Sequence, residues 1–252
     1  MQAYGRLFAI VYNQLWGDYA RRIAPLIHEF YEASTSLKQH KSLLDICCGT
    51  GQLSAYFLEK DYRVVGLDLS DEMLKPAREK LMPYVVAEKA AFIQGDAACF
   101  ELDEVFGLAV STYDALNHLP DLESLAGCFR STFNVLEDGG YFIFDLNTTL
   151  GLKNWNSMSV NPGEEIFLFN RGIFDEQTVK AWTKITGFVR NDDGFYERFE
   201  ETVYNTPFEL DAVKSMLLQT GFHSVYFTLG SELNTPIEEP EGVGKVFIIA
   251  KK

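Results

Sequence analysis

From Ser42 onward the chain alternates short apolar runs with stretches of helical spacing. Leu43, Leu44 and Ile46 form a run too short for a helix, Gly49 and Gly51 follow, and Gln52 to Leu58 returns to helical periodicity. A second run, Arg63 to Leu69, carries Asp68 at its end and Ser70, an N-cap residue, after it. A third, Ala91 to Gln94, leads into Gly95, Asp96 and Ala97. Asp121 predicts the cap of a helix with Leu122, Leu125, Phe129 and Phe133 on one face, and Gly139-Gly140 predicts a turn into a strand Tyr141 to Phe144. This alternation, from Ser42 to Asp145, implies a parallel sheet covered on both faces.

The pattern differs on either side. Tyr19, Ile23, Leu26, Ile27 and Phe30 mark an N-terminal helical cap over residues 1–40, with Pro25 expected to kink or start the helix. From Pro162 to Asn205 the period becomes two. Ile166 and Leu168, then Val179, Trp182, Ile185 and Phe188, then Tyr196 to Tyr204 are separated by Asp175-Glu176 and by Asn191-Asp192-Asp193-Gly194, which are hairpin signals. An antiparallel insertion over 162–205 is expected, then a helix Pro207 to Gln219 and closing strands Phe222 to Leu229 and Lys245 to Ala250. The 252 residues read as one domain.

Charge narrows the partners. The formal net charge is −14 and no basic run is visible, so a polyanion would meet a repulsive field, and no nucleic-acid partner is expected. No apolar run approaches the roughly 20 residues of a membrane span, and the N-terminal residues do not read as an export signal. Cys47, Cys48, Cys99 and Cys128 lack zinc spacing; they read as small buried residues in a reducing, cytoplasmic setting.

The chemistry lies in the turn Asp45-Ile46-Cys47-Cys48-Gly49-Thr50-Gly51. A strand, a glycine turn, a helix and then an acid at Asp68, where a ribose arrives, describe a nucleotide site. Dinucleotides and S-adenosylmethionine both fit that order. Asp45, four residues before Gly49, would repel a pyrophosphate over the turn, and Ser54 replaces the third small residue of the dinucleotide fingerprint. Both favour the sulfonium cofactor. At the third strand's edge, Asp96 and a neighbouring backbone N–H would read a purine amino group and ring nitrogen.

Through Asp45 to Gly51, Val65 to Ser70, Gln94 to Ala97 and Leu136 to Asp145, in that order, the chain resembles the class I S-adenosylmethionine-dependent methyltransferases. The resemblance implies a Rossmann-like, doubly wound α/β fold with a mostly parallel seven-stranded sheet, in which the 162–205 insertion acts as a lid. It also implies Gly49 and Gly51 under the methionine part, Asp68 on the ribose, Met73 beside the adenine, and Asp96 with Ala97 at the adenine edge. Asp45, Cys47, Leu69 and Ser111 are further candidates for cofactor contact. Cys47 stands where the family's first glycine usually is, and Gly107 where an acid commonly precedes the fourth strand.

Methyl transfer from a sulfonium needs an aligned nucleophile, excluded water and a sink for the acceptor's proton. The stretch Ser111 to Leu119 follows the fourth strand; within it His118 is a candidate base, Tyr113 a candidate catalytic neighbour, and Asn117 a pocket residue. Tyr4, Phe8, Tyr12, Trp16 and Tyr19 resemble the aromatic cap of small-molecule methyltransferases, amino-sugar N-methyltransferases among them, which makes Tyr12 a candidate acceptor contact. Asn13 follows it where an Asp is common. Asp145-Leu146-Asn147 lacks the adjacent Asp-Asn pair of metal-dependent catechol-type enzymes, so no metal is expected. The reading is methyl transfer to a nitrogen or oxygen of a small molecule. A non-catalytic cofactor-binding regulator and a dinucleotide oxidoreductase are the alternatives.

Overall fold

The computed structural model describes residues 4–34 and 41–252. Residues 1–3 and 35–40 of the expected cap lie outside the described residues.

Five parallel strands build the centre: β1 (Ser42–Ile46), β2 (Arg63–Asp68), β3 (Ala90–Gln94), β4 (Phe106–Ser111) and β5 (Leu136–Asn147). The C-terminal strands β10 (Ser224–Thr228) and β11 (Lys245–Lys251) complete a seven-stranded sheet of order β10-β11-β5-β4-β1-β2-β3, with β11 antiparallel to both its neighbours. The chain steps outward from β1 to β3 and returns to β4 on the other side of β1. This reversal opens a crevice at the carboxyl ends of β1 and β4.

Burial explains why these strands read as continuous apolar runs. Leu44 and Ile46 face one core with Phe129, Phe142 and Phe144, while Leu43 faces the other with Ile27, Phe57 and Ile143. The first core lies under α6 (Leu122–Val135) and α8 (Leu210–Thr220); the second lies under α2 (Asp18–Ser34), α3 (Gln52–Glu59) and α4 (Asp71–Lys80). The predicted caps are in place: Ser70 accepts from the Met73 N–H at the start of α4, and Asp121 from the Ser124 N–H at the start of α6.

A second, four-stranded antiparallel sheet comprises β6 (Met158–Pro162), β7 (Ile166–Asp175), β8 (Lys180–Arg190) and β9 (Tyr196–Asn205). Helix α1 (Arg6–Leu15) lies between this sheet and α4, burying Phe8, Ala9 and Val11 against Met73, Ile166, Leu168, Ile185 and Val189. Arg6 pairs with Glu197 at 2.5 Å, so α1 is tied to β9 by charge as well as by packing.

Several details differ from expectation. The second sheet begins at Met158, before Pro162, with β6 pairing along β7 although it is exposed at every position. Strand β5 starts at Leu136 and runs through Gly139-Gly140, which absorb a shift in its pairing with β4 instead of forming a turn. Pro25 lies inside α2, which starts at Asp18, and α8 starts at Leu210. Cys99 is exposed, unlike buried Cys48 and Cys128.

Candidate active site

The crevice holds a cavity of about 440 Å³. Its floor is the turn after β1. Cys47 and Gly49 both have left-handed backbone there, at φ 59° and 56°, a conformation costly for cysteine and free for glycine. Asp68 braces the turn: its Oδ2 accepts the Gly49 N–H and its Oδ1 the Ser70 N–H, each at 2.9 Å. Each oxygen keeps a second lone-pair site for a ligand. Burial pushes the Asp68 carboxyl above its usual range, opposed by those backbone N–H groups. Cys47, Gly49, Asp68, Leu69 and Met73 all line the cavity.

The opposite wall follows β4. Tyr113 and Asp114 are consecutive left-handed residues, at φ 66° and 51°. A buried polar network holds them. The Asp114 N–H donates to Asp145 Oδ1 at 3.0 Å, and Lys245 Nζ donates to Asp114 Oδ1 at 2.7 Å and Asp145 Oδ2 at 2.9 Å. Tyr19 donates its hydroxyl to Asp145 Oδ2 at 2.6 Å and stacks on Tyr113 with 4.7 Å between ring centroids. Burial opposes the charge on Lys245, but Asp145 and Asp114 outweigh it and hold the ammonium above the ordinary lysine range. One ammonium shared by two carboxylates leaves burial in command at Asp114, whose carboxyl is pushed up.

His118 also lines the cavity, with Nδ1 2.7 Å from the Tyr204 carbonyl at the end of β9. A carbonyl only accepts, so Nδ1 carries the proton in this contact, and the neutral ring keeps a bare lone pair on Nε2. Tyr4, Phe8, Tyr12 and Trp16 from the N-terminal segment and Ile185 and Val203 from the second sheet close the cavity.

Other residues expected at the site do not line the cavity. Asp45 is 3% exposed and accepts from Ser54 Oγ at 2.6 Å; burial pushes its carboxyl up to about 7, and it does not line the cavity. Gly51 is a packing residue, because a Cβ there would come 2.9 Å from Ala77 Cβ. Asn117 is fully buried, its amide donating to the Asn147 and Thr206 carbonyls and accepting from the Asn147 N–H. Ser111 is also fully buried and outside the lining; half-buried Asp96, which accepts the Ala98 N–H at 2.8 Å, and Ala97 in the core lie outside it too. Sequence reasoning missed Asn205 and Lys245, a polar strand end and a lone cation whose neighbours only the fold supplies. Among the described residues, no group of three or more His, Cys, Asp or Glu could hold a metal. No described helix is long and apolar enough to cross a membrane.

The family profile of the methyltransferase domain matches residues 43–140, the span from β1 to β5 that carries this turn. A protein of Bacillus subtilis (strain 168), provisionally named methyltransferase YqeM, is 28% identical over 218 residues, 85% of each chain. Over residues 43–140 the chain thus carries a methyltransferase domain. The chain is also similar in fold to an S-adenosylmethionine-dependent methyltransferase from Clostridium acetobutylicum, whose crystal structure superposes with a TM-score of 0.79 over 97% of both chains at 23% identity. A dTDP-3-amino-3,4,6-trideoxy-alpha-D-glucopyranose N,N-dimethyltransferase of Streptomyces venezuelae is 34% identical over 104 residues, 41% of each chain.

Proposed function

We propose that this enzyme methylates a nitrogen or oxygen of a small molecule. One observation carries the reading: a single cavity brings Gly49, Asp68 and Met73 from the β1 and β2 side together with Tyr113 and His118 after β4. The floor fits the cofactor, since a Cβ on Gly49 would stand 3.4 Å from both Met73 Cε and Tyr12 Cε1 and fill the space. Cys47 and Gly49 would lie under the methionine part, Asp68 would take the ribose hydroxyls, and Leu69 and Met73 would flank the adenine. When bound, S-adenosylmethionine supplies a methyl on a sulfonium, and the acceptor's lone pair forms the new bond as the carbon–sulfur pair returns to sulfur.

This chain's residues do the rest. His118 Nε2 takes the acceptor's proton, and the tautomer is set by the Tyr204 carbonyl. Tyr12 and Tyr113 orient the acceptor, while the aromatic residues of α1 exclude water. The Streptomyces venezuelae relative, named for methylating an amino sugar, supports a small-molecule nitrogen. Calorimetric titration with S-adenosylmethionine, S-adenosylhomocysteine and reduced nicotinamide dinucleotides tests the cofactor, with roughly micromolar binding of the first two expected. Binding of a dinucleotide alone would overturn the reading. Cofactor binding without turnover across a panel of amines and alcohols would favour a non-catalytic regulator.

A further inference from the structure

We infer that the acceptor enters as an organic cation, and that the Asp114 carboxylate and the Asn205 carboxamide form a subsite for a small ammonium-bearing molecule without phosphate or carboxylate groups. The inference rests on the acceptor side of the cavity proposed above and deepens it.

Asn205 closes β9, is 2% exposed and lines the cavity, yet neither its side-chain nitrogen nor its oxygen has a hydrogen-bond partner. A buried amide left unpaired is costly, and a ligand that pairs it recovers that cost. Asn117 provides the contrast, since its amide, equally buried, is paired on both sides. Asn205 is therefore a specificity-determining residue, while Asn117 holds the fold. Its neighbour Tyr204 supplies the carbonyl that orients His118, and Asn205 and His118 line the same cavity.

Charge points to the ligand's sign. Asp114 lines the cavity, and the ammonium that reaches its Oδ1 is shared with Asp145, so two carboxyls have one cation between them and a second ammonium at Asp114 would favour its ionised form against burial. Tyr4, Tyr12, Trp16 and Tyr113 offer aromatic faces in the same cavity, and such faces attract cations. Among the described lining residues there is no Lys or Arg, so a phosphate or carboxylate would meet Asp68 and Asp114 with no partner. This lining contrasts with the nucleotide-linked sugar in the name of the Streptomyces venezuelae relative. An ammonium held at Asp114 and Asn205 gives one proton to His118 Nε2, which leaves a neutral amine with a free lone pair.

The test uses protein loaded with S-adenosylhomocysteine and titrated with benzylamine, benzyl alcohol, benzoate and inorganic pyrophosphate. The organic probes are of similar size and differ in charge. Benzylamine is expected to bind about tenfold more tightly than benzyl alcohol, the anions not at all, and D114N to erase the preference. N205A is expected to weaken benzylamine by about tenfold with an unchanged or raised melting temperature, because it removes an unpaired buried amide. Equal or tighter binding of the alcohol, binding of either anion, absence of benzylamine binding, or an N205A protein that melts lower and keeps the preference would each overturn the inference. Failure of the cofactor reading would appear separately, as absent S-adenosylhomocysteine binding, and the charge series on the free protein would still decide. If D114N does not fold, the wild-type series and N205A decide.

Discussion

The two halves of the cavity are built differently. The side proposed for the cofactor comes from one local stretch, Cys47 to Met73, in which strand ends, a turn and a capped helix follow directly along the chain. The side proposed for the acceptor presents Tyr113 and Asp114 after β4 and Asn205 from β9, with Tyr113 and Asp114 braced by Tyr19 from α2, Asp145 from β5 and Lys245 from β11. A binding element used across many enzymes can be local and portable. A wall that selects an acceptor is assembled from distant segments, each free to vary without disturbing the cofactor.

Four substitutions sharpen that contrast. The largest effect is expected at Lys245, where Lys245→Met strands the Asp114 and Asp145 carboxylates; a loss of about 3 kcal/mol in urea denaturation is expected. A loss under about 1 kcal/mol would mean that the network is not what holds the left-handed pair. Next, His118→Gln should lower kcat about 100-fold on whichever amine or alcohol the acceptor panel identifies. Its failure to change kcat would remove His118 from the chemistry. Asp68→Ala, on the local side, should weaken S-adenosylhomocysteine by about 2 kcal/mol in calorimetry, the scale of hydrogen bonds to a charged group. Unaltered affinity would sink the ribose assignment.

The smallest and most diagnostic effect concerns Asp45. Its folded carboxyl titrates near 7 against an ordinary value of 3.8, so the folded state holds its proton more tightly than the unfolded chain does. Stability from this group is present below the unfolded value and falls as pH rises toward the folded one. Urea midpoints of wild type should therefore decline from about pH 4 to pH 7 relative to those of Asp45→Asn, in which the slope from this site is gone. Parallel profiles for the two proteins would show that Asp45 is ionised at no cost and would return it to the list of ligand contacts.

Legibility in the sequence followed the same division. The turn at Gly49, the acid at Asp68 and the cap at Ser70 were readable because their geometry depends on neighbours a few residues away. Asp45, Gly51 and Asn117 carried the right residue types at suggestive positions, yet the fold uses them for a buried hydrogen bond, a close helix contact and a brace between strand ends. Residue type and spacing do not say whether a polar group's partner will be a ligand or the protein's own backbone. That depends on what packs against it, and for Asn117 the partner is Thr206, far along the chain.

By itself the sequence determined the order of strands and helices, the parallel sheet, the hairpins of the insertion and the glycine turn with its acid, all of them set by backbone periodicity and local sterics. Only the tertiary structure decided that Lys245 would be shared by Asp114 and Asp145, that Tyr204 would set the His118 tautomer, and that Asn205 would be left unpaired in the cavity. Those facts arise from burial, which makes each charge and each amide answer to whatever partner the fold brings within about 3 Å.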